Sequence, residues 1–133
     1  DFWSVGTFGR QEGAMGQLIQ KDHPLFKEFP TESHTNWQWW PMANQRAVIL
    51  PDTVKQSFDA IITEMDSYAF LRPMAQLFEC RVGNGKLLYS TLGLQDLQQY
   101  PEGKALLRSI YKYLDLETFA PKQSIEWETL VSI

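Results

Sequence analysis

The sequence predicts a mixed α/β domain, and three stretches carry that reading. Ala47-Val48-Ile49-Leu50 is an apolar run bounded by Arg46 and Pro51, the pattern of a central strand buried on both faces. Two further strand-like runs, Gln76 to Val82 and Lys86 to Leu92, flank Gly83-Asn84-Gly85, whose residues tolerate the positive φ of a tight hairpin. A helix is expected from Pro101-Glu102, because proline suits a first helical turn and Leu106, Leu107, Ile110, Tyr113 and Leu114 then form an apolar stripe. Strands interleaved with helices around one core give an α/β or α+β sandwich.

Taken in order, residues 1–15 carry Trp3, Val5 and Phe8 among Gly6, Gly9 and Gly13, an irregular segment with room for one short strand. Met15 to Gln20 reads as a strand stopped by His23-Pro24, and Leu25, Phe26 and Phe29 suit one helical turn closed by Pro30. Met42 to Arg46 reads as a turn. Val54, Phe58, Ile61, Ile62 and Met65 fall at helical spacing, yet Ile61-Ile62-Thr63 is β-branched throughout. The favoured resolution is a turn over Asp52 to Gln56 and a strand from Asp59 to Met65, with a loop from Ser67 to Pro73. In the hairpin, Phe78, Cys80 and Val82 point one way and Leu77, Glu79 and Arg81 the other. Gly93 to Tyr100 is a loop or short helix. The tail holds Phe119, Ile125, Trp127, Leu130 and Val131, too many apolar groups to float free, so it should dock on the body.

Composition narrows the function. A chain of 133 residues fits one domain, and 44% apolar with 21% charged residues calls for a packed core rather than disorder. Twelve basic and sixteen acidic side chains give a net charge of −4 without a basic run, so nucleic acid is not expected as a partner. The single cysteine, Cys80, excludes an internal disulfide and reads as a small buried hydrophobe in mid-strand. No apolar run exceeds four residues, far short of a membrane span. Asp1-Phe2-Trp3 has neither the basic head nor the apolar stretch of a signal peptide, and the abrupt aromatic opening reads as a cut from a longer polypeptide.

The densest chemistry lies between Phe29 and Trp40. Three of the five tryptophans, Trp37, Trp39 and Trp40, fall within four residues, beside Gln38, Asn36, His34 and Glu32. Indole joins a large apolar face to one N–H that needs a partner, so it suits a half-wet boundary. Sugar sites use that combination, with aromatic faces against C–H surfaces and amides and carboxylates aimed at hydroxyls. The plainer reading, and the commoner use of aromatics, sets Trp37 and Trp39 on one face of an extended segment as a core plug, with Trp40 at the edge. His23 and His34 then serve as ordinary hydrogen-bonded histidines, His34 bonding to backbone near Asn36, and Glu32 caps the tryptophan segment.

The run His23-Pro24-Leu25-Phe26, Phe29-Pro30-Thr31-Glu32 and His34-Thr35-Asn36-Trp37-Gln38-Trp39-Trp40 resembles a segment near the C-terminus of many bacterial glycoside hydrolase family 2 enzymes of the β-galactosidase type. Ile61 to Asp66, Leu77 to Leu88 and Phe119-Ala120-Pro121 are similar to later parts of that region, so the likeness runs from about Gly16 onward. It implies a glutamine-amidotransferase-like, flavodoxin-type sandwich of which this chain holds the C-terminal portion, with a terminal β-hairpin and helix and an exposed sheet edge. It also implies a role in carbohydrate degradation, a periplasmic or secreted parent, and the rest of that glycosidase as partner.

The resemblance brings no catalytic residue with it. Family 2 chemistry needs two carboxylates flanking the scissile bond, and the family carries them in an upstream barrel that nothing here resembles. Amidotransferase chemistry needs a cysteine on a sharp turn with a histidine partner, whereas Cys80 is in mid-strand. Two histidines eleven residues apart make a poor zinc site, and no phosphate-cradling glycine loop or other cofactor motif is present. The expectation is a non-catalytic accessory domain. Two rivals stand beside it: a carbohydrate-binding module using Glu32, His34, Asn36, Trp37, Gln38, Trp39 and Trp40, and a small hydrolase pairing His34 with Glu32 or Glu79.

Overall fold

A computed structural model describes residues 16–42, 47–52, 54, 58–66 and 71–133. The segment 1–15, the turn over 43–46, most of the turn over 52–56 and the loop start at 67–70 lie outside the described residues. The fold is a mixed α/β domain. Among the described residues five strands form one sheet: β1 (Gly16–Ile19), β2 (Val48–Ile49), β3 (Ile62–Met65), β4 (Met74–Val82) and β5 (Gly85–Ser90). They run in the order β1-β3-β4-β2, with β5 also on β4, and every pairing is antiparallel. The parallel βαβ units of a flavodoxin-type sheet therefore do not occur among the described strands.

The hairpin and the helix form as their sequences predict. β4 and β5 pair from Leu77 with Ser90 to Val82 with Gly85, and the turn tightens to Gly83-Asn84, with φ +56° at Gly83. α1 spans Pro101–Leu114 with proline in its first turn, and buries Leu106, Ile110 and Tyr113. The Ile61 region resolves as the strand β3, where β-branching prevails over helical spacing. Ala47 to Leu50 departs from expectation. Only Val48 and Ile49 pair, with Ala75 and Met74 alone, and Ile49 is exposed, so β2 is a marginal strand and β4 is the central one. A four-residue apolar run does not distinguish the two positions, whereas the nine residues of β4 reach several neighbours.

Alternation along β4 divides the core. Leu77 enters one cluster with Ile62, Leu25, Trp39, Leu106 and Ile110, while Phe78 and Cys80 enter a second with Leu50, Ala60 and Ile125. The tail docks: Arg81 N–H bonds to Gln123 O and Ile125 N–H to Arg81 O, both at 2.9 Å, a parallel bridge on the free half of β4. A short helix α2 (Trp127–Val131) comes next, with Trp127 exposed. β5 pairs with β4 alone, so its outer edge has no partner strand among the described residues.

α1 lies against two 3₁₀ turns, Pro24–Glu28 and Asp96–Gln99. Ser109 makes the first contact in both directions, its hydroxyl donating to Leu25 O and accepting from Glu28 N–H at 3.2 Å. The contact with the second turn depends on Gly103, where a Cβ would sit 2.1 Å from Leu97 O. Gly103→Ala should therefore push α1 off that turn and cost about 1–3 kcal/mol in urea unfolding, the range for overpacking a tight core; a variant as stable as the parent would mean the approach is slack.

Candidate functional site

The tryptophan run is wound as a 3₁₀ turn, Trp37–Trp39, rather than extended. Asn36 is its cap, with Oδ1 accepting from Gln38 N–H at 3.2 Å, which corrects the expectation that Glu32 caps the segment. At three residues per turn, side chains i and i+3 eclipse while those between point elsewhere. Trp37 and Trp40 consequently share the outside, 86% and 67% exposed, with ring centroids 6.0 Å apart and planes tilted by 39°. Trp39 alone plugs the core. It is fully buried, its indole N–H donates to Thr31 Oγ1 at 2.7 Å, and it meets Phe29 and Phe26 edge-on at 5.3 and 6.1 Å. The plug reading thus holds for Trp39 and fails for Trp37, which the two-residue spacing of an extended segment would place on the same face.

The remaining sequence-derived residues surround that pair unevenly. Gln38 is half-buried, with its amide spent on the loop's own backbone, Nε2 donating to Pro30 O at 3.0 Å. Asn36 is occupied as the cap. Glu32 and His34 are exposed, and the backbone of His34 bridges antiparallel to Leu18 of β1, with Ile19 N–H bonded to Ser33 O at 2.9 Å. Among the described residues His34 makes no side-chain bond to the backbone near Asn36. Trp39 leaves the set of surface residues altogether. What stays outward is a pair of indoles with Glu32 and His34 on the same loop.

A second cluster is not apparent in the sequence. Glu79 of β4 accepts a hydrogen bond from the Tyr113 hydroxyl at 2.7 Å, and its other oxygen lies 3.8 Å from His23 Nε2. His23 caps the first 3₁₀ turn, Nδ1 accepting from Leu25 N–H at 3.3 Å, and stands edge-on to Tyr113 at 5.2 Å. Because Nδ1 accepts, the neutral ring carries its proton on Nε2, toward Glu79. The three groups line a cleft of about 560 Å³ that the docked tail borders through Thr118, Lys122 and Gln123. The Gln123 amide holds that border, donating to Glu79 O at 2.7 Å and Asp59 O at 2.9 Å and accepting from Asp59 N–H. The signal that could have found it is Glu79 alternating onto the same side as Leu77, the side on which the helix stripe containing Tyr113 packs. Glu79 thus belongs with His23 and Tyr113, not with His34.

Burial lowers the His23 pKa, against the opposing pull of Glu79. Burial and the Glu79 bond push the Tyr113 phenol up, which keeps it a donor. Burial, then Glu79, raises the Cys80 thiol, and the side chain is fully enclosed, as an inert thiol in mid-strand should be. Among the described residues no group of three or more His, Cys, Asp or Glu is placed to hold a metal ion, and no helix is long and apolar enough to cross a membrane.

The described residues form a small mixed α/β domain with an exposed tryptophan pair and a polar hollow. A family model described as a domain of unknown function, DUF8487, matches residues 1–133, and the chain belongs to that family. No curated protein matches it.

The His23 shift sets a pH dependence. The unfolded chain takes up this proton more readily than the folded one, so the contribution is fully present above the unfolded value of 6.5 and is lost as pH falls through the lower folded value. Unfolding free energy measured in urea should decline below about pH 6.5 with a slope of up to about 1.4 kcal/mol per pH unit from this group. His23→Asn, which keeps a capping acceptor, should remove that part of the slope; an unchanged profile would show that His23 does not set it.

Proposed function

We propose that this domain is a non-catalytic accessory unit of a bacterial glycoside hydrolase of the β-galactosidase type, and that Trp37 and Trp40 are its sugar-contacting face. The parentage rests on the sequence resemblance from Gly16 onward, most specific over His34 to Trp40. The observation that carries the contact face is the exposure of the two indoles on a turn anchored by a third. Leaving a large apolar side chain in water forgoes about 2–3 kcal/mol of burial, so two adjacent ones turned outward suit a surface that meets a partner. Indole faces stack on the C–H side of a sugar ring, and Glu32 and His34 on the same loop offer hydroxyl partners.

The same resemblance gives a finer fold, the C-terminal portion of a flavodoxin-type, glutamine-amidotransferase-like sandwich. The terminal hairpin followed by α1 supports it, and the parallel strands such a sheet requires would then come from elsewhere in the parent. Within that parent the domain would pack beside the catalytic barrel and shape the approach of substrate.

Titration of the chain with galactose and galacto-oligosaccharides should give a saturable change in tryptophan fluorescence. Trp37→Ala and Trp40→Ala should each weaken binding about tenfold, about 1.4 kcal/mol. Trp39→Ala should instead lower stability by about 3–5 kcal/mol. The chain alone should not turn over nitrophenyl galactosides. A flat fluorescence response across these sugars removes the contact face, and turnover abolished by one substitution in this chain removes the accessory reading.

A further inference from the structure

We infer that the cleft over Glu79 is a binding site for a neutral polyhydroxy ligand of single-ring size, separate from the tryptophan face. Its volume of about 560 Å³ falls within the range of small-molecule sites, roughly 300–1,000 Å³. The floor has unfilled hydrogen-bonding capacity of both kinds. Glu79 gives one oxygen to Tyr113, while the other stands 3.8 Å from His23 Nε2, too far for a direct hydrogen bond. His23 Nδ1 is committed to Leu25 N–H, so the Nε2 proton and the Glu79 oxygen face one another across a gap. A hydroxyl on the cleft side can bridge the two, because it is donor and acceptor at once, accepting from His23 and donating to Glu79. Thr118 and Lys122 add hydroxyl and ammonium groups at the border, and Ile61 gives an apolar wall for a C–H face.

Other ligand classes fit less well. An anion would meet the Glu79 and Asp59 carboxylates. An ammonium would match those acceptors but face Lys122 and the Nε2 proton of His23. A metal ion lacks its ligand set, as no group of three suitable side chains occurs among the described residues. The assignment does not rest on the tryptophan face or on the glycosidase reading. It needs only the positions of His23, Glu79 and Tyr113 relative to the cleft.

The test uses the full chain and three neutral probes, D-galactose, D-glucose and myo-inositol, with acetate and methylammonium as charged controls. Saturation-transfer NMR reports contact, and the Tyr113 ring and His23 imidazole resonances report location. Carrying out the titration in the Trp37→Ala/Trp40→Ala chain removes the other proposed face, so each site fails or stands by itself. The expected result is a saturable shift of both resonances by at least one neutral probe, weakened about tenfold or more by Glu79→Gln, as for loss of a hydrogen bond to a charged group. Since that change also alters the bond from Tyr113, Thr118→Val at the exposed border is the second variant, expected to weaken binding severalfold while leaving the circular dichroism spectrum unchanged. No shift with any neutral probe, a shift produced only by acetate or methylammonium, or binding indifferent to both variants would overturn the assignment.

Discussion

The buried indole of Trp39 is the constraint on which the surface depends. An indole enclosed in a core must give its N–H to an acceptor, and Thr31 Oγ1 at 2.7 Å takes that part. With Phe26 and Phe29 edge-on to the ring, the phase of the 3₁₀ turn has no freedom left. Residues one turn apart then have to project together, so Trp37 and Trp40 form a pair on the outside as a consequence of what Trp39 does inside. The bridge between Leu18 and His34 ties the other end of the loop to β1.

A comparable constraint builds the cleft. α1 does not lie directly on the sheet along its length; it rests on two short 3₁₀ turns, one of them joined to it through Ser109. That spacing leaves room between the N-terminal end of the first turn, β4 and the returning tail. Lys86, donating to Phe119 O at 2.7 Å, and Gln123, bonding to both Asp59 and Glu79, hold the tail in place across that room. A chain that packed its helix flush against the strands would have no cleft and no partly exposed Glu79.

The parts legible in the sequence are those where one local period decides the outcome. Leu106 to Leu114 keeps a helical stripe over about two and a half turns, and the strands about Gly83-Asn84 alternate against a turn that glycine favours, so both follow from spacing alone. Ala47 to Leu50 is not legible, because four apolar residues look alike at the centre and at the margin of a sheet. The tryptophan run misleads for a different reason. A two-residue spacing fits a strand, and only the capping of Asn36 with the burial of Trp39 converts it to a turn with a three-residue spacing. The density of tryptophan marks the stretch that carries the exposed indoles, whereas nothing local marks the partners of Glu79. That residue meets Tyr113 across 34 positions of chain, and His23 joins them from a different turn, so no local pattern contains the cluster.

The two surfaces are joined by a short chain of contacts. His23 lines the cleft and also caps the turn Pro24–Glu28, whose Phe26 lies against Trp39. A proton on Nδ1 would end its role as acceptor for Leu25 N–H, leaving a 3₁₀ turn without its cap at the point where α1 is joined through Ser109. A ligand hydroxyl held between Nε2 and Glu79 acts in the opposite direction, because it favours the neutral tautomer that keeps the cap. The path is short: one histidine, one helical turn and one edge-on aromatic contact join the polar hollow to the aromatic face.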